Sequence, residues 1–304
     1  MAKYDKHPFF VGCDEIGAQF LFEEPGCYII KFGDSISINH TGPWTDHHAA
    51  LVRQYDVNSA SFNTYSFGER DTADFLLELP SLRTVFISLK KVKDLSAVSQ
   101  LTQVRELRLG IDNWGLRRLG DELKPIGFSN LRNLKLVYLS WCAAFASVLE
   151  CSTIEKLEVS NDCDRRLCDL DLTHLPKLRE LALVRCPKLR SVALHPKAKI
   201  TALNLGLCGS YQIDWPRMGP ELEFLFLGGR LTFPLEDILQ APKLMTLMTT
   251  GIRKLPPLGF LRQLKHLCGV VLFAPPPGPK ISAEDEAMIQ EINGRGKKAY
   301  GQRT

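Results

Sequence analysis

From residue 79 to about residue 270 the chain repeats an apolar-x-x-apolar-x-x-apolar-x-apolar frame nine times. The clearest copies are Leu79-Leu82-Val85-Ile87, Leu101-Val104-Leu107-Leu109, Leu131-Leu134-Val137-Leu139, Cys151-Ile154-Leu157-Val159 and Leu175-Leu178-Leu181-Leu183. The later copies run through Ile200-Leu203-Leu205, Leu222-Leu225-Leu227, Leu244-Leu247-Thr249 and Leu261-Leu264-Leu267. Successive copies are 22, 30, 20, 24, 22, 22, 22 and 20 residues apart. The last two slots alternate with period two, which predicts a short strand with one buried face. No single copy can bury its own apolar set. Stacked copies can, so the pattern predicts a parallel sheet built one strand per repeat.

The pattern continues beyond the strand. Leu181-x-Leu183-x-x-Cys186-x-x-Leu189 fits L-x-L-x-x-N/C-x-x-L, as does Val137-x-Leu139-x-x-Cys142-x-x-Phe145; Leu203-x-Leu205-x-x-Cys208 fits up to its cysteine. Over about two thirds of its length the chain thus resembles the leucine-rich-repeat superfamily. The resemblance implies an α/β solenoid, with a curved parallel β-sheet on the concave face and short helical or irregular convex returns. The organisation expected is an acidic N-terminal cap over residues 1–78, the solenoid over 79–272, and a Pro-rich break, short helix and basic tail over 273–304. There are departures from the pattern. An insertion falls around Ile111–Gly127, Arg230 and Ile252 stand where Asn or Cys is expected, and Thr249 and Gly269 replace strand leucines.

Within the N-terminal segment, Tyr28–Phe32, Gly33-Asp34 and Ser35–Asn39 read as a hairpin, and Asp46–Asp56 as a short helix. Ala49-x-x-Val52-x-x-Tyr55-x-Val57 imitates the repeat frame and is a candidate degenerate unit. At the other end, Pro275-Pro276-Pro277 is a stiff break. Ser282, followed by acidic residues, N-caps a helix expected to reach about Asn293. Gly294–Thr304 reads as a mobile basic tail.

The nine cysteines fit the frame better than they fit a disulfide framework. Cys142, Cys186 and Cys208 occupy one repeat slot, where cysteine acts as a small buried hydrophobe. Cys13, Cys27, Cys163 and Cys168 lack zinc-finger spacing, so no metal is expected on them. Met1–Phe10 does not resemble a signal peptide, and no apolar run has the roughly 18 residues of a membrane span. The expectation is a cytoplasmic, reduced protein. Charge is uneven: residues 1–78 hold 5 Lys/Arg against 12 Asp/Glu, and residues 79–272 hold 28 against 18.

Catalytic motifs are scarce. Phosphate-binding glycine loops, His-Glu-x-x-His and Gly-x-Ser-x-Gly are missing from the sequence. Cys163-Asp164 resembles the Cys-x-Asp of bacterial leucine-rich-repeat ubiquitin ligases only superficially, without the intervening residue. Asn39-His40-Thr41 matches a glycosylation sequon. The densest titratable group is His40-Thr41-Gly42-Pro43-Trp44-Thr45-Asp46-His47-His48. It offers a metal-dependent enzyme as one reading, and a solvated surface loop as the plainer one. No cofactor is expected.

The residue between the two buried strand slots points to the sheet's other face. Read down the repeats, that column is Phe86, Arg108, Tyr138, Glu158, Ala182, Asn204, Phe226, Met248 and Cys268. The column before it adds Glu106, Leu136, Lys156, Glu180, Phe224 and His266, with Trp141 and Arg185 just beyond. Aromatic and arginine anchors among polar neighbours suit a protein partner. The candidate contacts are Phe86, Arg108, Tyr138, Trp141, Glu158, Arg185, Asn204, Phe224, Phe226 and Met248. Nucleic acid is disfavoured, because Arg83, Arg105, Lys135, Arg179 and Lys265 precede their strands and Lys188, Arg190, Lys197 and Lys199 lie on the returns. The resemblance therefore implies a protein-binding module. Immunity proteins that hold a toxin, or inhibitors of an enzyme, are its nearest functional analogy, and a scaffold or substrate adaptor is the alternative.

Overall fold

A computed structural model describes residues 18–300 except 41, 63, 69, 90–91, 112–122, 161–166, 209–210, 230–232, 253–254 and 274–280. Most of the expected insertion, together with Cys13, Cys163-Asp164 and Arg230, lies outside the described residues. The chain divides into two compact units at Leu134/Lys135.

In the first unit, strands β1 (Gln19–Glu24), β2 (Cys27–Phe32) and β3 (Ser35–His40) pair antiparallel in sequence. The expected hairpin is therefore present, with Gly33 taking the left-handed conformation its turn requires (φ 56°). From β3 onward the pairing is parallel. β4 (Ser59–Phe62), β5 (Thr84–Leu89) and β6 (Glu106–Ile111) follow in order. The register matches Ala60 with Val85 and Leu107, and Phe62 with Ile87 and Leu109. The rung before residue 79 is thus Val57-x-x-Ala60-x-Phe62, with all three buried. The Ala49–Val57 imitation is not that rung. Residues 46–54 form helix α1 (Asp46–Gln54), which buries Ala49, Leu51 and Val52. A three-residue apolar step suits a helix face as well as a repeat frame.

In the second unit seven strands stack in the order β7 (Leu136–Ser140), β8 (Lys156–Ser160), β10 (Glu180–Val184), β12 (Ala202–Gly206), β13 (Phe224–Gly228), β14 (Thr246–Thr250) and β15 (Gly269–Phe273). All neighbours are parallel and in register. Leu157, Leu181, Leu203, Leu225, Leu247 and Val270 form one buried column. Each buried aliphatic side chain contributes about 1.5–3 kcal/mol against exposure, and this column holds successive rungs together. A second ladder of main-chain bonds ties the strand entries. The amides of Glu155, Arg179, Thr201, Glu223, Met245 and Cys268 donate in turn to the carbonyls of Lys135, Glu155, Arg179, Thr201, Glu223 and Met245, at 2.8–2.9 Å.

That ladder corrects the last repeat. Cys268 follows Met245 as an entry residue, and Val271, not Cys268, is registered with Met248. Gly269 takes the place expected of His266, opposite Thr246. The final frame is Leu264-Leu267-Val270-Leu272, three residues beyond the expected one. The returns are mostly short 3-10 turns, such as Ser96–Gln100, Ala143–Glu150 and Leu235–Gln240. One stretch instead pairs β9 (Asp169–Leu172) with β11 (Ser191–Leu194) in a separate two-stranded parallel sheet. A short helix, α2 (Trp215–Met218), precedes β13.

The chain ends in α3 (Ala283–Tyr300), capped by Ser282, whose Oγ accepts the Asp285 N–H at 3.0 Å. This helix runs past Asn293, so residues 294–300 are helical where a mobile tail was expected. The Glu291–Arg295 ion pair, one helical turn apart at 2.7 Å, lies across that extension. Among the described residues, no helix is long and apolar enough to cross a membrane.

The cysteines of the shared slot are buried as expected. Cys186 Sγ lies 3.8 Å from the Val159 carbonyl, and Cys208 donates to the Leu183 carbonyl at 3.1 Å, each reaching into the preceding rung. The seven described cysteines form no disulfide.

Candidate functional site

Alternation along each strand leaves one face of each sheet without the leucine core. In the first unit this open face carries Asn39, Ser61, Phe86 and Arg108 in register, beside the parallel file Ser37, Ser59, Thr84 and Glu106. These residues line a shallow depression of about 320 Å³. Its walls mix the hydroxyls of Ser37, Ser59, Ser61 and Thr84 and the Asn39 amide with Phe86, which is 38% exposed. Arg108 doubles onto Glu106, its Nε at 2.8 Å and an Nη at 2.7 Å from one carboxylate oxygen. Two of the expected contact residues, Phe86 and Arg108, are therefore adjacent on one surface.

In the second unit the register brings Tyr138, Glu158, Ala182, Asn204, Phe226, Met248 and Val271 into one file. Beside it run Leu136, Lys156, Glu180, Ala202, Phe224 and Thr246. The face is graded. At its β7–β10 end, Lys156 lies 5.7 Å from the Tyr138 ring centroid and pairs with Glu180 at 2.8 Å. The Glu180 carboxylate, first among several neighbours, raises the Lys156 pKa, so the charge on this lysine is secure. At the β13–β15 end, Phe224, Phe226, Met248, Val271 and Phe273 make an apolar band, with Val271 37% and Phe273 52% exposed. Between them Ala182 and Ala202 leave a low stretch in which Asn204 Oδ1 is buried without a hydrogen-bond partner.

Two expected contacts lie off these files. Trp141 is only 8% exposed, because it continues the parity of Val137 and Leu139 onto the buried side; its main-chain N–H donates to the Ser160 carbonyl at 2.9 Å. Arg185 is exposed just beyond β10, in the left-handed conformation at φ 57°, with its N–H on the Gly206 carbonyl.

The histidine-rich stretch is solvated only in part: Pro43, Thr45, Asp46 and His47 are exposed, while His40 and Trp44 are buried. His40 ends β3 at 5% exposure, Trp44 is 3% exposed, and His47 and His48 lie in the first turn of α1. His40, Trp44 and His48 pack ring to ring at 5.0–5.3 Å, and Phe62 and Phe75 close the cluster. Both His40 nitrogens are buried without partners. Burial, then the neighbouring His48, pushes the His40 pKa down to about 4, so this imidazole is neutral at ordinary pH. The hairpin also brings Glu24, which no sequence motif singled out, and Cys27, on which no metal was expected, to the same place. The Glu24 carboxylate meets His47 Nε2 at 3.0 Å. Cys27 is registered with His40 across β2 and β3. Burial, with the Glu24 charge second, holds the Cys27 thiol up at about 11. The legible signal for this pair was Glu24-Pro25-Gly26-Cys27, a tight turn with a carboxylate on one side and a thiol on the other; Glu24 and Cys27 face each other in its register.

No protein-family model matches the chain, and no curated protein does. Among solved structures the chain is similar to a leucine-rich-repeat protein of Leptospira interrogans, at 14% identity over 82% of this chain and 79% of that chain, with a TM-score of 0.27.

Proposed function

We propose that this chain is a non-catalytic protein-binding module of the leucine-rich-repeat type, and that its partner seats on the open face of β7–β15. The observation that carries the reading is the graded surface of the second unit. A band of Phe224, Phe226, Met248 and Val271 is separated by the low Ala182–Ala202 stretch from a fixed Tyr138–Lys156–Glu180 group. Partly exposed aromatic and Met side chains on a rigid parallel sheet lose little conformational entropy on binding, and such anchors dominate protein interfaces. The open file of the first unit, Phe86 and Arg108 beside a hydroxyl-lined depression, suits a smaller polar contact of the same partner class.

Within this reading the partner is a toxin or enzyme that the chain sequesters. That form is an analogy at the level of the fold with solenoids that inhibit an enzyme or hold a toxin; a scaffold or adaptor is its competitor. Affinity capture from the native cell should compare wild type with Phe226→Asp/Met248→Asp. A folded double variant that loses a partner held by wild type supports the reading, and equal recovery contradicts it. Assaying the captured partner with and without the chain then separates inhibitor from scaffold.

A further inference from the structure

Glu24, Cys27 and His48 come from three elements, and their ligand atoms all lie within 4.8 Å of one another. Among the described residues this is the one such convergence of three potential metal ligands. We propose that it is a zinc-binding site joining the β1–β2 hairpin to the first turn of α1.

The chemistry of the donors selects the metal. A thiolate, an imidazole and a carboxylate suit Zn²⁺, whereas calcium and magnesium sites use oxygen ligands. The thiolate and carboxylate together cancel the two positive charges, which a partly buried site favours. At Zn–S of about 2.3 Å and Zn–N of about 2.0 Å, the ligand atoms of a tetrahedral site stand roughly 3.2–3.8 Å apart. Metal binding draws the set, now within 4.8 Å, in to that spacing, and the Glu24 side chain is one third exposed.

The surroundings match a built site. Thr45 brackets His48 Nδ1, its N–H donating at 3.1 Å and its Oγ1 lying at 2.8 Å. Zinc on Nε2 moves the ring proton to Nδ1, which then gives up the Thr45 N–H and donates to Oγ1, as metal-bound histidines commonly donate their other ring N–H to an oxygen. His47 holds the Glu24 carboxylate from the solvent side at 3.0 Å. A second, independent sign is His40. It is nine-tenths buried, cross-strand to Cys27 and 5.0 Å ring to ring from His48, and neither of its nitrogens has a hydrogen-bond partner. Buried polar groups are rarely left so, and a polar occupant beside it accounts for the arrangement. Binding expels the Cys27 thiol proton to solvent and forms the S–Zn bond; a water completes the shell on the exposed side.

The test uses the full chain, stripped with chelator and titrated with Zn²⁺ against a chromophoric competitor, and separately with Co²⁺. The expected result is one equivalent bound, with a near-ultraviolet sulfur-to-cobalt charge-transfer band. Cys27→Ser should abolish the band, Cys168→Ser should keep it, and Glu24→Gln should weaken binding by about tenfold or more. If Cys27→Ser fails to fold, zinc-edge X-ray absorption of the loaded wild type decides. One sulfur in the shell supports the site, and an all-nitrogen/oxygen shell overturns it. No binding, or a band that survives in folded Cys27→Ser, also overturns it.

Discussion

Asn293 in α3 satisfies both main-chain groups of Val270, accepting its N–H at 2.7 Å and donating to its carbonyl at 3.0 Å. β15 is the last strand of its sheet, and an unpaired edge invites another chain. One side chain on the terminal helix takes the place of the missing neighbour at that residue. Asn293→Ala removes both bonds. Unfolding in urea should show a loss of about 1–3 kcal/mol, and the Val270 amide should exchange hydrogen faster. Unchanged exchange at Val270 would show that the pairing is not what protects the edge.

The buried column sets the scale of core defects. Leu203 is fully buried between Leu181 and Leu225. Leu207, only four residues on, is 54% exposed. Leu203→Ala should cost about 2–5 kcal/mol, and Leu207→Ala should stay within about 0.5 kcal/mol. Denaturant melts of the pair check this, and similar midpoints would mean the rung packing is misassigned.

Thiol chemistry should follow the repeat slot. Cys142, Cys186 and Cys208 are buried, whereas Cys168 and Cys268 are partly exposed. Timed alkylation with mass readout should modify Cys168 and Cys268 first. The slot cysteines should react only as fast as the protein opens, under reducing or non-reducing conditions alike.

Acid sensitivity should have a traceable component at Asp94. The Lys124 ammonium at 2.7 Å and the Ser96 N–H at 2.8 Å hold its carboxyl well below the usual range, at about 2. A carboxyl pKa lowered by folding stabilises the fold at pH above its unfolded value near 4, and that contribution is lost as pH falls towards 2. Asp94→Asn should therefore flatten the stability profile between about pH 4 and pH 2. An identical slope in the variant would assign the acid response elsewhere.

How much of this was legible in the sequence depends on the step between leucines. Where the frame is bounded by polar residues, as at Leu175–Leu183, strand, face and register follow directly from the period. Near the end, Leu261, Leu264, Leu267 and Val270 all stand three apart. A frame ending at Gly269 and one ending at Leu272 share the same three-residue spacing, and the Cys268–Met245 main-chain bond together with the β14–β15 register selects the second. Trp141 keeps the buried parity of Val137 and Leu139, whereas Arg185, at the same parity after Leu183, is exposed because its left-handed conformation (φ 57°) redirects the chain. The Glu24–Cys27–His48 cluster was illegible for another reason. Its members are local only within the hairpin, and His48 joins them through the fold of β3 and α1.

The claim that the open face of β7–β15 holds a protein partner is tested most directly by hydroxyl-radical footprinting of the isolated complex. Phe226 and Met248 are reactive side chains on that face, and Phe32, 55% exposed in β2, serves as the reference. The account predicts that labelling of Phe226 and Met248 falls several-fold on binding while Phe32 is unchanged. Equal labelling of Phe226 and Met248 in the free and bound protein would contradict it.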